Sequence, residues 1–141
     1  MTIHTDTIEI RTTGKGLFEI TDRVEEVVQR SVITTGLCSV FIFHTSASLI
    51  ITENADPSAR SDVERWFERL APENDPLYTH TAEGPDDMPS HLRAAVTKTS
   101  ETVHVDGGSL TLGTWQGLFL FEHRSRPHNR RIRVRVMGET S

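Results

Sequence analysis

Four histidines stand beside other polar side chains, and imidazole is the group best suited to both proton transfer and metal ligation near neutral pH. They are His44, followed by Thr45, Ser46 and Ser48; His80, close to Tyr78 and Glu83; His91, just after Asp86 and Asp87; and His123, between Glu122 and Arg124. Three of them converging would suit zinc or another divalent ion that prefers imidazole. Spacing alone supports this weakly, because neither an HExxH helix nor a paired CxxC is present. His4, His104 and His128 stand in no comparable setting. Glu83, Asp86 and Asp87 form an acidic set able to hold Mg²⁺ with substrate phosphates; the plainer reading makes Asp87 a helix N-cap and Glu83-Gly84 a turn. Arg124 is the best single candidate for an anion clamp, since a guanidinium grips phosphate bidentately. Ser46 and Ser48 near His44 suggest a hydrolytic dyad, but no G-x-S-x-G elbow occurs, so they read with Thr45 as substrate-binding hydroxyls.

Rigid elements must hold these groups in place. Val40 to Phe43 and Leu49 to Ile51 are strand-like, with Thr45 to Ser48 forming a bend or a tight connection between them. Glu53, Asn54 and Asp56 follow, and Asp56-Pro57 reads as an N-cap with proline at the first helical position. Ala59, Val63, Trp66, Phe67 and Leu70 then share one helical face, and that helix stops before Pro72. An earlier helix starts at Thr21 as N-cap, carries Val24, Val27, Val28 and Ser31 at helical spacing, and is stopped by Gly36. Pro72 to Pro89 is a long irregular loop of the kind that carries function. It leads into a short third helix, capped by Asp87, with Leu92, Ala95 and Val96 expected on the inner face. The N-terminus, up to the Gly14-Lys15-Gly16 turn, and the C-terminal third read as strands: Thr102 to Val105, Leu110 to Leu112, Leu118 to Phe121, and Ile132, Val134 and Val136 among arginines. The expectation is an α+β fold, β-dominated, with an antiparallel β-sandwich-like core flanked by three helices.

Three stretches, His44-Thr-Ser-Ala-Ser48 with its flanking strands, Tyr78-Thr-His80 through His91, and Leu112-Gly-Thr-Trp115-Gln116 through Glu122-His123-Arg124, resemble the YjbQ family. The likeness runs from about residue 15 onward. Two departures stand out: His104 where the family commonly has proline, and Gly107-Gly108-Ser109 where it commonly has Asn-Gly-Arg. The missing arginine removes one phosphate contact. The resemblance implies a homotrimer and thiamine-phosphate synthase-like transfer, in which a pyrimidine-methyl group leaves pyrophosphate and is captured by a thiazole phosphate nitrogen. It also strengthens a divalent metal, Zn or Mg, on His80, His91 and His123. His44, Asp86, Asp87, Glu122 and Arg124 would then be catalytic, and Thr45, Ser46, Ser48, Asn54, Asp56, Trp115 and Gln116 would bind a small phosphorylated metabolite. Trp115 either stacks on a substrate ring or fills the core, the latter being commoner for a lone tryptophan. The competing readings are a metal-dependent hydrolase and a non-catalytic module that binds a small metabolite.

The 141 residues fit a single domain over 1–141, and at this size roughly 68–70% of the unfolded surface is buried. With one cysteine and no apolar run long enough for a membrane span or signal peptide, a reducing cytoplasm is expected. Cys38 precedes a buried strand and reads as a packed thiol. A net charge of −5 disfavours nucleic acid. The arginines alternating with Ile132, Val134 and Val136 suit the wet face of a half-buried edge strand instead.

Overall fold

A computed structural model describes residues 1–141 and shows three helices and two antiparallel sheets. In chain order the elements are β1 (Thr2–Arg11), β2 (Gly16–Glu19), α1 (Thr21–Ser31), β3 (Thr35–Ile42), β4 (Ala47–Glu53), α2 (Pro57–Leu70), α3 (Asp87–Val96), β5 (Ser100–Asp106), β6 (Ser109–Leu110), β7 (Gln116–Glu122) and β8 (Asn129–Glu139). The larger sheet runs β1-β8-β3-β5-β6 and the smaller β2-β7-β4. Alternation decides which side each residue takes. Ile132, Val134 and Val136 of β8 face inward with Val40 and Cys38 of β3, against Val24, Val27 and Val28 of α1 and Leu118 and Leu120 of β7. Cys38 is packed as expected, and burial pushes its thiol up to about 12.

Between β3 and β4 the chain leaves one sheet for the other, so residues 43–46 are a corner between layers. β8 lies between β1 and β3, a central position, which corrects the edge-strand expectation. Its outward arginines are shielded in part by stacking: the Arg131 and Arg133 guanidinium groups lie over the Phe43 ring. Gly36 does not end α1; the left-handed residue there is Val32, and Gly36 sits in β3 opposite Gly138 of β8. A Cβ on either glycine would collide with the facing backbone, so the pair lets the two strands meet. Thr21 is the first helical residue of α1, with Ile20 at the cap.

The α2 start follows the sequence: Asp56 accepts the Ser58 N–H and Pro57 opens the helix. Of its apolar face only Phe67 is buried, stacking edge-on against Phe121, while Trp66 and Leu70 are half exposed. α3 reverses the expectation. Its buried residues are Asp87, Pro89, Ser90 and Arg93, and Leu92 and Val96 face solvent. Asp86 occupies the N-cap, and Asp87 is the first residue of the helix. A helix that turns its polar side inward must satisfy those groups, and the partners it finds build the site.

Candidate functional site

Asp87 and His91 are one turn apart on α3 and so share a face, and the loop before it brings in His80. The Asp87 Oδ2 atom lies 2.8 Å from His80 Nε2 and 3.1 Å from His91 Nε2. The other oxygen, Oδ1, accepts from Arg124 Nη1 at 2.6 Å. His91 Nδ1 donates to the Thr45 carbonyl at 2.9 Å, because a carbonyl can only accept. The proton of a neutral His91 ring is thereby fixed on Nδ1, leaving the Nε2 lone pair facing a carboxylate oxygen that also carries lone pairs. Two acceptors this close need a cation between them, either a second proton or a metal ion. The three ligand atoms lie within 4.8 Å of one another, and two imidazoles with one carboxylate suit zinc or another first-row divalent ion. Thr45 and Arg124 supply the outer contacts that orient such ligands.

A cleft of about 760 Å³ opens on this cluster, lined by His44, Thr45, Thr79, His80, Met88, His91, Ala94, Ala95 and Thr99. No lysine, arginine or carboxylate stands among them. His44 Nε2 accepts the Arg131 backbone N–H at 2.9 Å, and burial, aided by Arg130, lowers the affinity of the ring for a second proton.

The comparisons with known proteins decide the family. The family model described as UPF0047 protein YjbQ-like matches residues 6–139. The chain belongs to the YjbQ/UPF0047 family. A UPF0047 protein of Synechocystis is 52% identical over 136 residues, spanning 96% of this chain and 92% of that protein. YjbQ of Salmonella typhimurium is 41% identical over 134 residues, spanning 94% and 96%. Among solved structures, a YbjQ-like protein of Sulfolobus solfataricus superposes with a TM-score of 0.86 at 26% identity, covering 98% of this chain and all of that one. A YjbQ/UPF0047 protein of Clostridium acetobutylicum gives 0.87 at 29%, covering 94% and 99%.

Within this YjbQ-family fold the remaining candidates fall in four other places. Glu122 is fully buried and accepts from Thr12 Oγ1, the Arg124 N–H, its own neighbour His123 N–H, and Arg130, whose Nε donates at 2.8 Å. Arg130 Nη2 also holds Ser46 through its hydroxyl and carbonyl. Glu122 and Ser46 therefore fasten strands, and neither lines the cleft. His123, expected with His80 and His91 as a metal ligand, stands outside the His80, Asp87 and His91 cluster. Its Nε2 lies 2.9 Å from Ser48 Oγ, which in turn accepts from Thr97 Oγ1. Burial first, then the Arg93, Arg130 and Lys15 charges, push its pKa down to about 3, so the ring is neutral.

Arg124 is no open anion clamp. Its Nε donates to Asp86 Oδ2, Nη1 to Asp87 Oδ1 and Nη2 to the Glu83 carbonyl, which brackets the end of the long loop. Burial raises the Asp86 pKa, but the Ser125 N–H and hydroxyl and Arg124 outweigh it and hold it at about 2. Asn54, Asp56, Trp115 and Gln116 gather at the far end of β4 and β7, where Glu53 pairs with Gln116. Six residue steps separate that end from Ala47, about 20 Å along the strand. There Asn54 donates to the Thr114 and Gln116 carbonyls, Gln116 accepts the Gly113 N–H, and Trp115 is 64% exposed, so of its two readings the core-filling one does not hold.

Sequence reasoning missed Thr79, Met88, Ala94, Ala95 and Thr99 as cleft residues, and nothing in their types marks them. Arg130 was legible: it shares parity with Ile132, Val134 and Val136, so alternation alone puts it inside.

Proposed function

We propose that this YjbQ-family chain is a metal-dependent hydrolase of small, weakly charged molecules, with His80, Asp87 and His91 as the ligands of a divalent ion. The observation that carries the reading is the single carboxylate oxygen of Asp87 placed between two imidazole nitrogens, beside a cleft. Such an ion, when bound, supplies a water of lowered pKa. The chain's own residues do the rest: Thr45 orients His91, Arg124 orients Asp87, and the cleft walls receive the substrate. Thiamine-phosphate synthase-like transfer is supported by the family resemblance, but it must handle departing pyrophosphate. The side chain expected to do so, Arg124, is spent on Asp86 and Asp87, and the cleft lining offers no other cationic side chain to share that charge with the ion. A pure binding module would use the same walls without turnover.

Metal analysis of untagged protein, with His80→Ala and His91→Ala beside it, is the test. About one zinc, manganese or iron per chain in the wild type and loss in both variants is expected. Metal content unaffected by either change would sink the ligand assignment. The outward apolar residues of α3, Leu92 and Val96, support the homotrimer that the resemblance implies. Light scattering giving a monomer at micromolar concentration would remove it. No helix is long and apolar enough to cross a membrane, and the single buried cysteine suits a reducing cytoplasm.

A further inference from the structure

We propose that His44 is a catalytic hydrogen-bond donor, a neutral imidazole whose Nδ1–H receives the carbonyl oxygen of an uncharged ester or amide held in the cleft beside His80, Asp87 and His91. The proposal rests on the metal reading above and adds the substrate class and the group that stabilises its charge. A backbone N–H can only donate, so the Arg131 N–H at 2.9 Å commits the Nε2 lone pair of His44. The neutral ring then carries its proton on Nδ1. In that form neither nitrogen can ligate a metal or act as a base. Donation is what remains.

The cleft wall gives the donor its meaning. With no lysine or arginine among the lining residues, the side chains there that can donate to a substrate oxygen, the two histidines of the metal cluster aside, are His44, Thr45, Thr79 and Thr99. A phosphate monoester would bring two negative charges to a wall with no cationic side chain, leaving the ion alone to balance them. An acyl carbonyl arrives neutral, gains charge only during reaction, and so profits from a donor already in place. In hydrolysis the water oxygen adds to the carbonyl carbon and the C–O or C–N bond to the leaving group breaks. One water proton passes to the leaving group and the other to solvent as the acid ionises. His44 keeps its proton and shares it with the carbonyl oxygen while that oxygen is charged.

Two isosteres separate the roles of the ring atoms. His44→Asn keeps an N–H near Nδ1, while His44→Gln keeps an acceptor near Nε2 for the Arg131 N–H and removes the donor. The probe is acetohydroxamate, a carbonyl compound that chelates metals, titrated into cobalt-loaded protein and followed by the visible cobalt spectrum; p-nitrophenyl acetate hydrolysis is measured alongside. Losing a hydrogen bond to a charged oxygen should weaken probe binding by His44→Gln roughly 10- to 150-fold at unchanged cobalt affinity, while His44→Asn stays within about threefold of wild type. Imidazole ¹⁵N NMR of the wild type should show the His44 proton on Nδ1. A His44→Gln protein that binds the probe like wild type, or a proton found on Nε2, overturns the role of His44 and leaves the metal reading standing. A wild-type protein that takes up no cobalt overturns both. Should His44→Gln fail to fold, the NMR assignment and His44→Asn decide.

Discussion

His123 should make this protein's stability fall steeply in mild acid. The ring is fully buried and its pKa is pushed down to about 3, by burial first and then by Arg93, Arg130 and Lys15. An unfolded chain binds a proton at histidine near pH 6.5, whereas the fold refuses it. The folded-state pKa is therefore the lower one. Its contribution is fully present above about pH 6.5 and is lost as pH falls toward 3, with a slope of about 1.4 kcal/mol per pH unit for one proton. By about pH 4.5 the loss reaches about 2.7 kcal/mol, or roughly 5–11 °C in Tm for a domain of this size. His123→Gln removes the titrating group but keeps a polar atom near Nε2 for Ser48. The assay is urea or thermal denaturation of both proteins between about pH 7.5 and 4.5, a window above the one in which the depressed Asp86 titrates. Because the lowered pKa of His44 acts in both proteins, it cancels in the difference. The variant should gain on the wild type by about 1.4 kcal/mol for each unit below pH 6.5. Parallel curves would refute the reasoning, since they would mean that the buried ring takes up its proton as readily as an unfolded one.

Glu122→Gln leaves Arg130, which is 3% exposed, without its carboxylate, and should cost about 3–5 kcal/mol in urea denaturation. Adding Arg130→Met to that change should restore part of the loss, and a double variant less stable than the single one would contradict a buried-charge penalty. Arg124→Met releases Asp86, Asp87 and the Glu83 carbonyl together, and should weaken zinc roughly 10- to 100-fold in a chelator competition. Unchanged zinc affinity in folded protein would remove Arg124 from the support of the ligands.

Short-range chemistry was legible and long-range placement was not. The α2 start was written in Asp56-Pro57, and the inward parity of Ile132, Val134 and Val136 was plain. That β8 is central was hidden, because its partners β1 and β3 lie far back in the chain. The third helix was misread by assuming that apolar means inward. Its polar side is the one with partners, Asp87 with Arg124 and Arg93 with Glu68 and the Ala71 carbonyl. The structure brings His80 and His91 together, and the four-residue step from Asp87 to His91 held the clue to the third member of the cluster. His123 was misplaced because strand parity sends it to the side of β7 that carries Phe119 and Phe121, under α2, where it pairs with Ser48.

The position of β8 also sets an order of events during synthesis. β1 and β3 flank it without touching each other in the ladder, so when residues 129–139 leave the ribosome β1 gains its strand partner and β3 its second one after β5. Until then β1 has no strand partner, and β3, which pairs with β5 on one side, keeps its other edge open along a strand that carries Leu37, Phe41 and the apolar core residues Cys38, Val40 and Ile42. Exposed strand edges of that kind recruit other chains. A ribosome stalled between β5 and residue 129 should thus display the β8-facing edge of β3 as a chaperone-binding segment, and release of β8 should close it in one cooperative step.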